Sequence, residues 1–497
     1  MVAVDLNAQY LGVSGIQLME NAGSAVAHQI SQRFKNGTRV TILAGTGGNG
    51  GDGMVAARHL TSQGFHVELL LLGDPANITR EDVGENWRTL ESMAESIQLK
   101  VVNDSSLLPR LEGEVVVDAL LGTGAKGNLH SLFLKGVRAM NHASGFKLAV
   151  DIPTGIDSDT GKVLGEAFKA DATVTFHKSK PGLEKSPSYV GKLTVANIGI
   201  PPEAEKYVGP GDVHLCTKPR LSETHKGDYG RVLVIGGSED FHGAPTLSAA
   251  AAMKVGVDLA YAAVPEIIAH DVASYSPSLI VIKLKGRHLS SDSVEILRKW
   301  IPKASAVILG PGLGLAAETR EAVKAIIDAV EARGIPLLLD ADGLKAFAEF
   351  KHPLRCPAVI TPHVGEYQIL TGNKLPENID DRVELVSETS RLLNCVTIVK
   401  GAVDIISDGK HVKINRFVHN PGMTVGGTGD VLSGIVGALL SQGYEPFRAA
   451  CAGVFINGAA GDFALKDLGY HLLATDLLEW IPYVMNDPLS HLSVRHH

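Results

Sequence analysis

Short apolar runs rich in Val, Ile and Leu alternate with longer helical stretches along nearly the whole chain. In the first half, Val40–Leu43, Val67–Leu72, Val115–Asp118, Lys147–Ile152, Thr173–Phe176 and Leu193–Ile198 are the strand candidates. Gly53–Gln63, Glu81–Ser96 and His130–His142 between them read as helices. A strand that is apolar throughout is buried on both faces, and strand–helix alternation joins such strands in parallel. The pattern therefore predicts an α/β fold, a mostly parallel sheet with helices on both sides.

The rhythm breaks once, at Ile200–Glu223, where Pro201, Pro202, Pro210 and Pro219 sit among charges and mark a connector. It resumes at Arg231–Ile235 and continues through Leu259–Val264, Ala306–Leu309, Pro336–Asp340, Val359–Thr361 and Val396–Val399. Val403–Ser407 and His411–Asn415 flank Asp408-Gly409 and predict a β-hairpin. Helices over Asp430–Gln442 and Pro446–Leu468 close the pattern. A chain of 497 residues is too long for one ordinary domain. Two tandem three-layer αβα domains are expected, 1–212 and 221–490, with the boundary near 212–222.

Composition removes several classes. The net charge is −8 with no basic stripe, which argues against nucleic acid as a partner. No apolar run reaches the roughly 18 residues that span a bilayer. The N-terminal MVAVDLNAQYLG lacks a basic segment followed by an apolar one, so no signal peptide is expected. Cys216, Cys356, Cys395 and Cys451 are scattered without a CxxC pair and read as reduced core residues of a cytoplasmic protein.

Two glycine-rich loops carry the chemistry. Gly45–Gly53 (GTGGNGGDG) follows a strand and opens a helix, a context suited to phosphate binding at a helix N-terminus. It is neither the spacing of a dinucleotide fingerprint nor a Walker loop, since no Lys-Ser/Thr follows. A tight strand–helix turn that needs glycine is the plainer alternative. In an open α/β sheet ligands gather at the carboxyl ends of strands, where Asn49, Asp118 and Thr154 converge. An amide, one carboxylate and a hydroxyl suit a weakly charged cation. Gly122–Gly127 (GTGAKG) offers a second backbone nest with Lys126 beside it. Taken singly, Asp118 or Asp151 could equally be a helix cap or turn residue.

The second loop, within Asn420–Gly434 (NPGMTVGGTGDVLSG), places free N–H groups at a helix start with Asp430 in its first turn. Such a nest can stabilise a developing phosphoryl charge while the carboxylate deprotonates a hydroxyl. Here too an Asp cap on a glycine turn is the plainer reading. Lys400 ends a strand where it could pair with a phosphate. Asp340 and Asp342 could hold magnesium through water or satisfy loop amides, and the sequence leaves both open. His363 follows a strand terminus in a loop and reads as functional rather than core.

Leu18–Gly23 (LMENAG), Gly47–Gly53 (GGNGGDG), Val116–Gly124 (VVDALLGTG) and Asp151–Gly161 (DIPTGIDSDTG) resemble the NAD(P)H-hydrate epimerase family, over roughly residues 1–210. The resemblance implies a Rossmann-like domain that interconverts the R and S forms of hydrated NADH and NADPH. It implies substrate contacts from Gly48, Asn49, Gly50, Gly51 and Asp52, from Gly122, Thr123, Gly124, Ala125, Lys126, Gly127 and Asn128, and from Asp151. It also implies a potassium ion held by Asn49, Asp118 and Thr154. Epimerisation needs a proton shuttle, and Asp151 is the expected catalytic carboxylate. Gly48 stands where the family usually has Asn, and Thr154 where it often has Ser; the hydroxyl is kept. Asp52 is expected to be structural.

His225–Ser238 (HKGDYGRVLVIGGS), Gly310–Gly314 (GPGLG), Thr361–Glu366 (TPHVGE) and Asn420–Asp430 resemble the ADP-dependent NAD(P)H-hydrate dehydratases of the ribokinase-like superfamily, over roughly residues 221–490. The resemblance implies hydrate contacts from Ala244, Gly312, His363 and Asp430, with Asp430 the catalytic base. It implies ADP contacts from Lys400, Gly401, Ala402, Val403, Asp404 and Gly429, with Mg²⁺ accompanying the nucleotide. Val364 replaces the usual Pro, and KGAVD replaces a KGAGT-like run, which bears on nucleotide choice. A homo-oligomer is expected. The alternative is a vitamin-precursor kinase joined to a nucleotide-binding scaffold; it shares Asp430 and differs in its product.

Overall fold

The structure is a computed structural model, and it describes residues 1–124 and 127–495. The chain divides into two compact units, residues 12–201 and residues 202–497 together with 1–11. The division falls at 201/202 rather than near 212–222. The connector is not loose: it forms the short helices Glu203–Lys206 and Pro210–Leu215, which pack in the second unit. Lys413 makes a buried ion pair with Asp212 at 2.7 Å, tying the connector to a strand of that unit.

The first unit contains seven strands: β1 (Arg39–Ala44), β2 (His66–Leu72), β3 (Gln98–Val102), β4 (Val115–Ala119), β5 (Phe146–Val150), β6 (Ala172–Phe176) and β7 (Lys192–Ala196). Their spatial order is β3-β2-β1-β4-β5-β6-β7, and every pairing is parallel. The first six positions follow the dinucleotide-binding order. Strand order reverses between β1 and β4, so a crevice opens at their carboxyl ends. β4 is buried at every position because neighbours cover both its faces.

The second unit contains β8 (Arg231–Ile235), β9 (Leu259–Pro265), β10 (Ile280–Leu284), β11 (Ala306–Leu309), β12 (Leu337–Leu339), β13 (Ala358–Ile360), β14 (Val396–Val399), β15 (Asp404–Ser407) and β16 (Val412–Asn415). The order is β10-β9-β8-β11-β12-β13-β14-β15-β16. Only β14–β15 and β15–β16 are antiparallel, the predicted hairpin among them. Alternate residues enter different cores: Val232, Val234 and Ile308 one, Leu233, Ile235 and Val307 the other. Side chains alternate across a strand, so both faces are covered and the unit has three layers.

Two edge strands, β3 and β10, lie outside the expected set. Both are only partly buried; Lys100 interrupts the apolar residues of β3, whereas β10 begins within the apolar run Leu279–Ile282, a strand signal that the expected set omits. The four cysteines are free and buried, as expected. Among the described residues no helix is long and apolar enough to cross a membrane.

Candidate active sites

In the first unit, β1 runs into the glycine loop, and the helix Gly48–Ser62 begins at Gly48 with Gly47 as its cap. Gly48, Asn49 and Gly50 therefore form its first turn, where amide N–H groups lack intrahelical partners, while Gly51 N already donates to the Gly47 carbonyl at 3.1 Å and Asp52 follows it. The glycines differ in purpose. A Cβ on Gly50 would lie 1.8 Å from the Gly45 carbonyl oxygen, and one on Gly53 2.5 Å from Ala119 Cβ. These positions serve close packing. A Cβ on Gly47 or Gly124 would meet nothing within 4 Å, so those positions face open space.

Asp118 near the end of β4 is fully buried. Its Oδ1 accepts from Thr154 Oγ1 at 2.7 Å and Leu120 N at 3.2 Å; its Oδ2 accepts from Thr154 N at 2.7 Å. Burial pushes the carboxyl up to about 6, opposed by those hydrogen bonds. Thr154 Oγ1 also accepts from Leu121 N at 3.1 Å. Asn49 is 8% exposed, and neither atom of its amide has a partner. Its Oδ1 lies 3.5 Å from where a Gly122 Cβ would stand. The 120–122 loop thus lies against both Thr154 and Asn49. An orphaned amide oxygen, a buried carboxylate and a hydroxyl joined by that loop could together hold a hard monovalent cation.

Asp151 follows β5 with φ of 63°, a conformation costly for a non-glycine residue and concentrated at functional sites. Its Oδ1 accepts from Thr175 Oγ1 at 3.0 Å and from Lys180 Nζ at 2.5 Å. Lys180 is buried and also donates to Thr175 Oγ1 and the Phe176 carbonyl. Sequence reasoning missed this lysine; the only signal was a Lys-Pro-Gly just past a strand. Of the second nest, Gly127 is left-handed with open space beside it, and Asn128 Oδ1 approaches Gly165. Ala125 and Lys126 lie outside the described residues.

In the second unit the helix Thr428–Ser441 starts after Gly427, which is left-handed with φ of 99°. Asp430 lies in its first turn. Burial and the neighbouring Asp340 push its carboxyl up to about 7, Lys400 opposes them, and Asp342 and Glu366 add to the rise. Ser248 Oγ donates to the Asp430 carbonyl at 2.9 Å, joining this turn to the helix Gly243–Val255. On that helix Ala244 meets Gly312: a Gly312 Cβ would lie 3.3 Å from Ala244 Cβ. Gly312 is left-handed and receives a Ser238 hydroxyl bond on its carbonyl.

Lys400 follows β14, and its Nζ donates to Asp340 Oδ1 at 3.0 Å. Asp340 also accepts from Thr361 at 2.8 Å and Ser433 at 2.5 Å. Burial would lower the Lys400 ammonium, but Asp340, Glu366 and Asp430 outweigh it and hold it above its usual range. Asp342 accepts from Gly314 N at 2.9 Å and pairs with Lys345 at 2.9 Å. Both carboxylates that the sequence left open are therefore engaged by protein donors.

His363 caps the helix Val364–Thr371: its Nδ1 accepts from Gly365 N at 3.0 Å and Glu366 N at 3.3 Å. Accepting at Nδ1 puts the proton on Nε2, 3.5 Å from Glu366 Oε1.

A cavity of about 350 Å³ opens beside these groups, and His363, Lys400, Gly401, Ala402, Asp404 and Gly429 line it. Val403 does not line it; it lies in the turn that enters β15. Asp404 Oδ1 accepts from Gly401 N at 2.9 Å and Oδ2 from Asn415 Nδ2 at 2.8 Å, so this carboxylate shapes the turn. Burial holds it above its ordinary range. The far wall is apolar, with Val418, Leu432 and Val454, and includes Asn457, whose buried Oδ1 has no partner. Asn457 was also missed; its signal is a lone amide within an apolar small-residue helix.

A family model described as NAD(P)H-hydrate dehydratase matches residues 232–483. One described as YjeF-related protein N-terminus matches residues 15–182. The chain is 42% identical over 495 residues to the bifunctional NAD(P)H-hydrate repair enzyme of Hyperthermus butylicus, covering 99% of this chain and 92% of that one. It is 43% identical over 492 residues to the enzyme of the same name from Pyrobaculum aerophilum, covering 98% and 97%. Among solved structures, a hypothetical protein from Streptococcus mutans is similar over 56% of this chain and 99% of its own, at 25% identity and a TM-score of 0.51.

Proposed function

The chain belongs to the family of bifunctional NAD(P)H-hydrate repair enzymes, and from that premise we propose that its two units act in sequence on hydrated NADH and NADPH. The first unit interconverts the R and S forms. The second removes water from the S form at the expense of ADP, releasing AMP and phosphate. The observation that carries the second reaction is Asp430: a half-buried carboxyl pushed up to about 7, in the first turn of a glycine-led helix, beside the Lys400 cavity.

In the second unit Asp430 takes the proton of the ring hydroxyl. The oxygen attacks the terminal phosphoryl of ADP, breaking its bridge to AMP. Lys400 and the amides that open the helix oppose the charge that builds on the phosphoryl oxygens. Phosphate then leaves with the C–O electrons, driven by the ring nitrogen, and loss of a proton from the neighbouring ring carbon restores the dihydronicotinamide. His363 lines the cavity and would meet substrate there, and Ala244 with Gly312 forms a smooth wall against which a ring can lie. The adenine fits the apolar wall, with Asn457 at its edge. Asp340 and Asp342 already have protein donors, so Mg²⁺ would come in on the nucleotide phosphates and neutralise part of their charge.

In the first unit, Asn49 Oδ1, Asp118 and Thr154 would hold K⁺, which supplies positive charge beside the dinucleotide. The orphaned Asn49 oxygen supports that fit. Among the described residues no three His, Cys, Asp or Glu side chains cluster to hold a metal, and an oxygen-bound alkali ion does not need them. Asp151, held by Lys180 and Thr175, moves the proton. The glycine turn at 47–52, with Gly122–Gly124, Gly127 and Asn128, faces the dinucleotide. A homo-oligomer and a cytoplasmic location belong to the same proposal, and light scattering on the purified protein tests the first.

Product analysis tests the reading. Incubation with S-NADH hydrate and ADP should give NADH, AMP and phosphate in equal amounts. A stable phosphorylated product would favour a kinase and overturn it.

A further inference from the structure

The helix Val2–Tyr10 precedes the first unit in sequence but packs within the second. Asn7, 3% exposed, donates to the Ala204 carbonyl at 2.9 Å and accepts from Gly211 N at 2.8 Å. The Tyr10 ring meets Phe455 edge-on at 5.7 Å and lies under the Arg495 guanidinium at 4.5 Å. Its hydroxyl bonds His491 Nδ1 at 2.8 Å. His491 Nε2 bonds Asp462 Oδ2 at 2.9 Å, and Asp462 Oδ1 accepts from Asn420 Nδ2 at 2.6 Å. A carboxylate can only accept, so Nε2 carries the imidazole proton and Nδ1 accepts from Tyr10. All four side chains are at least 98% buried.

The far end of this chain of bonds is part of the nucleotide cavity's frame. Asn420 opens the segment that ends at Asp430, and Met423, Thr424 and Thr428 of that segment line the cavity. Asp462 lies on the helix Pro446–Leu468, which supplies Val454 and Asn457 to the same cavity. Asn420 Oδ1 has no partner, so the bond to Asp462 is what fixes its amide. The segment also presses on that helix: a Gly461 Cβ would come within 2.1 Å of Met423 Sδ.

We propose that Tyr10, His491 and Asp462 are positioning residues that set Asn420, and through it the 420–427 side of the nucleotide cavity. The first helix of the chain is then a working part of the ADP-dependent unit. This rests on the functional reading of that unit given above. ADP binding depends on residue 10, while R/S interconversion in residues 12–201 does not. A role in packing alone would lower the melting temperature and leave the KM for ADP where it was.

The test compares wild type, Tyr10→Phe and Asp462→Asn as full-length protein. NADH formation from S hydrate is followed against ADP concentration, with R/S interconversion and thermal melting measured on the same preparations. Tyr10→Phe keeps the ring packing and removes one hydrogen bond, so it remains informative if Asp462→Asn misfolds. Expected is a KM for ADP raised about three- to tenfold, the scale of one hydrogen bond or less in affinity, with interconversion unchanged. A KM for ADP equal to wild type in folded Tyr10→Phe overturns the proposal, whether or not melting falls. So does a parallel loss of both activities. Wild type that forms no NADH with ADP overturns the functional reading itself, a result distinct from either.

Discussion

Two substitutions in one loop separate glycines that pack from glycines that face ligand. At Gly50 the added methyl lies 1.8 Å from the Gly45 carbonyl oxygen, 2.7 Å from its carbon and 3.0 Å from its nitrogen. All three are backbone atoms of the turn after β1, which is itself tied to β4 by Gly45 N donating to the Ala119 carbonyl at 3.0 Å. No rotamer relieves the clash, so β1's turn and the helix must separate. Overpacking of this kind costs about 1–3 kcal/mol and sometimes more. The helical preference of alanine over glycine returns about 0.5–1 kcal/mol. Three backbone contacts put the overpacking cost at the upper end of its range and leave a net loss of about 2 kcal/mol, so Gly50→Ala should lower the melting temperature of the first unit by roughly 4–8 °C, at about 2–4 °C per kcal/mol for a unit of this size. Gly47→Ala has open space and a backbone conformation that alanine adopts freely, so melting should not move. Its methyl instead enters the space over the helix N-terminus, and the KM for the R hydrate should rise by about tenfold or more, equivalent to at least roughly 1.4 kcal/mol of lost binding. Differential scanning calorimetry and R/S interconversion kinetics on both variants provide the readout. Gly47→Ala with wild-type KM would refute the assignment of that open face to the dinucleotide, and a Gly50→Ala that melts like wild type would refute the packing account.

Other expectations concern charge. Asp430 must be a carboxylate to act as base, and its carboxyl sits near 7, so dehydratase kcat/KM should fall about tenfold per pH unit below 7. Lys400 lowers that value, so Lys400→Met should move the acid limb to higher pH; a limb that stays or moves down contradicts the role given to Lys400. Asp430→Asn should cut turnover by about 10²–10⁴ while leaving interconversion intact, measured by NADH absorbance. Lys180→Met removes the buried ammonium paired with the partly buried Asp151 carboxylate, and should depress both epimerase activity and the melting of the first unit. Asn49→Leu removes an oxygen that has no protein partner, so it should abolish potassium activation of interconversion without lowering melting.

The strands that set both sheets were legible because parallel strands covered on two faces are apolar along their length, as β11 and β12 are. β3 was not, because an edge strand needs no such run and Lys100 interrupts it; β10 carries such a run in Leu279–Ile282 and was overlooked. The ends of β1, β4 and β14 could be read as site positions from Asn49, Asp118 and Lys400, since strand ends follow from strand positions. Partners that arrive from other elements could not. Nothing local in the sequence says that Lys180 reaches Asp151, that Asp340 is engaged by Lys400 and Ser433, or that the helix Val2–Tyr10 folds with residues 202–495. These depend on which elements the tertiary fold brings together. Val403 was expected at the nucleotide from the family resemblance; it stands in the turn into β15 and is not among the residues that line the cavity.

The central claim is that one chain repairs both epimers through two separate sites. The direct measurement is recovery of NADH absorbance from a mixture of R and S hydrate, with and without ADP, using wild type and Asp151→Asn. Wild type with ADP should convert the whole mixture, Asp151→Asn should stop at the S fraction, and neither should form NADH without ADP. Recovery limited to the S fraction in wild type, or complete recovery by Asp151→Asn, would contradict the account.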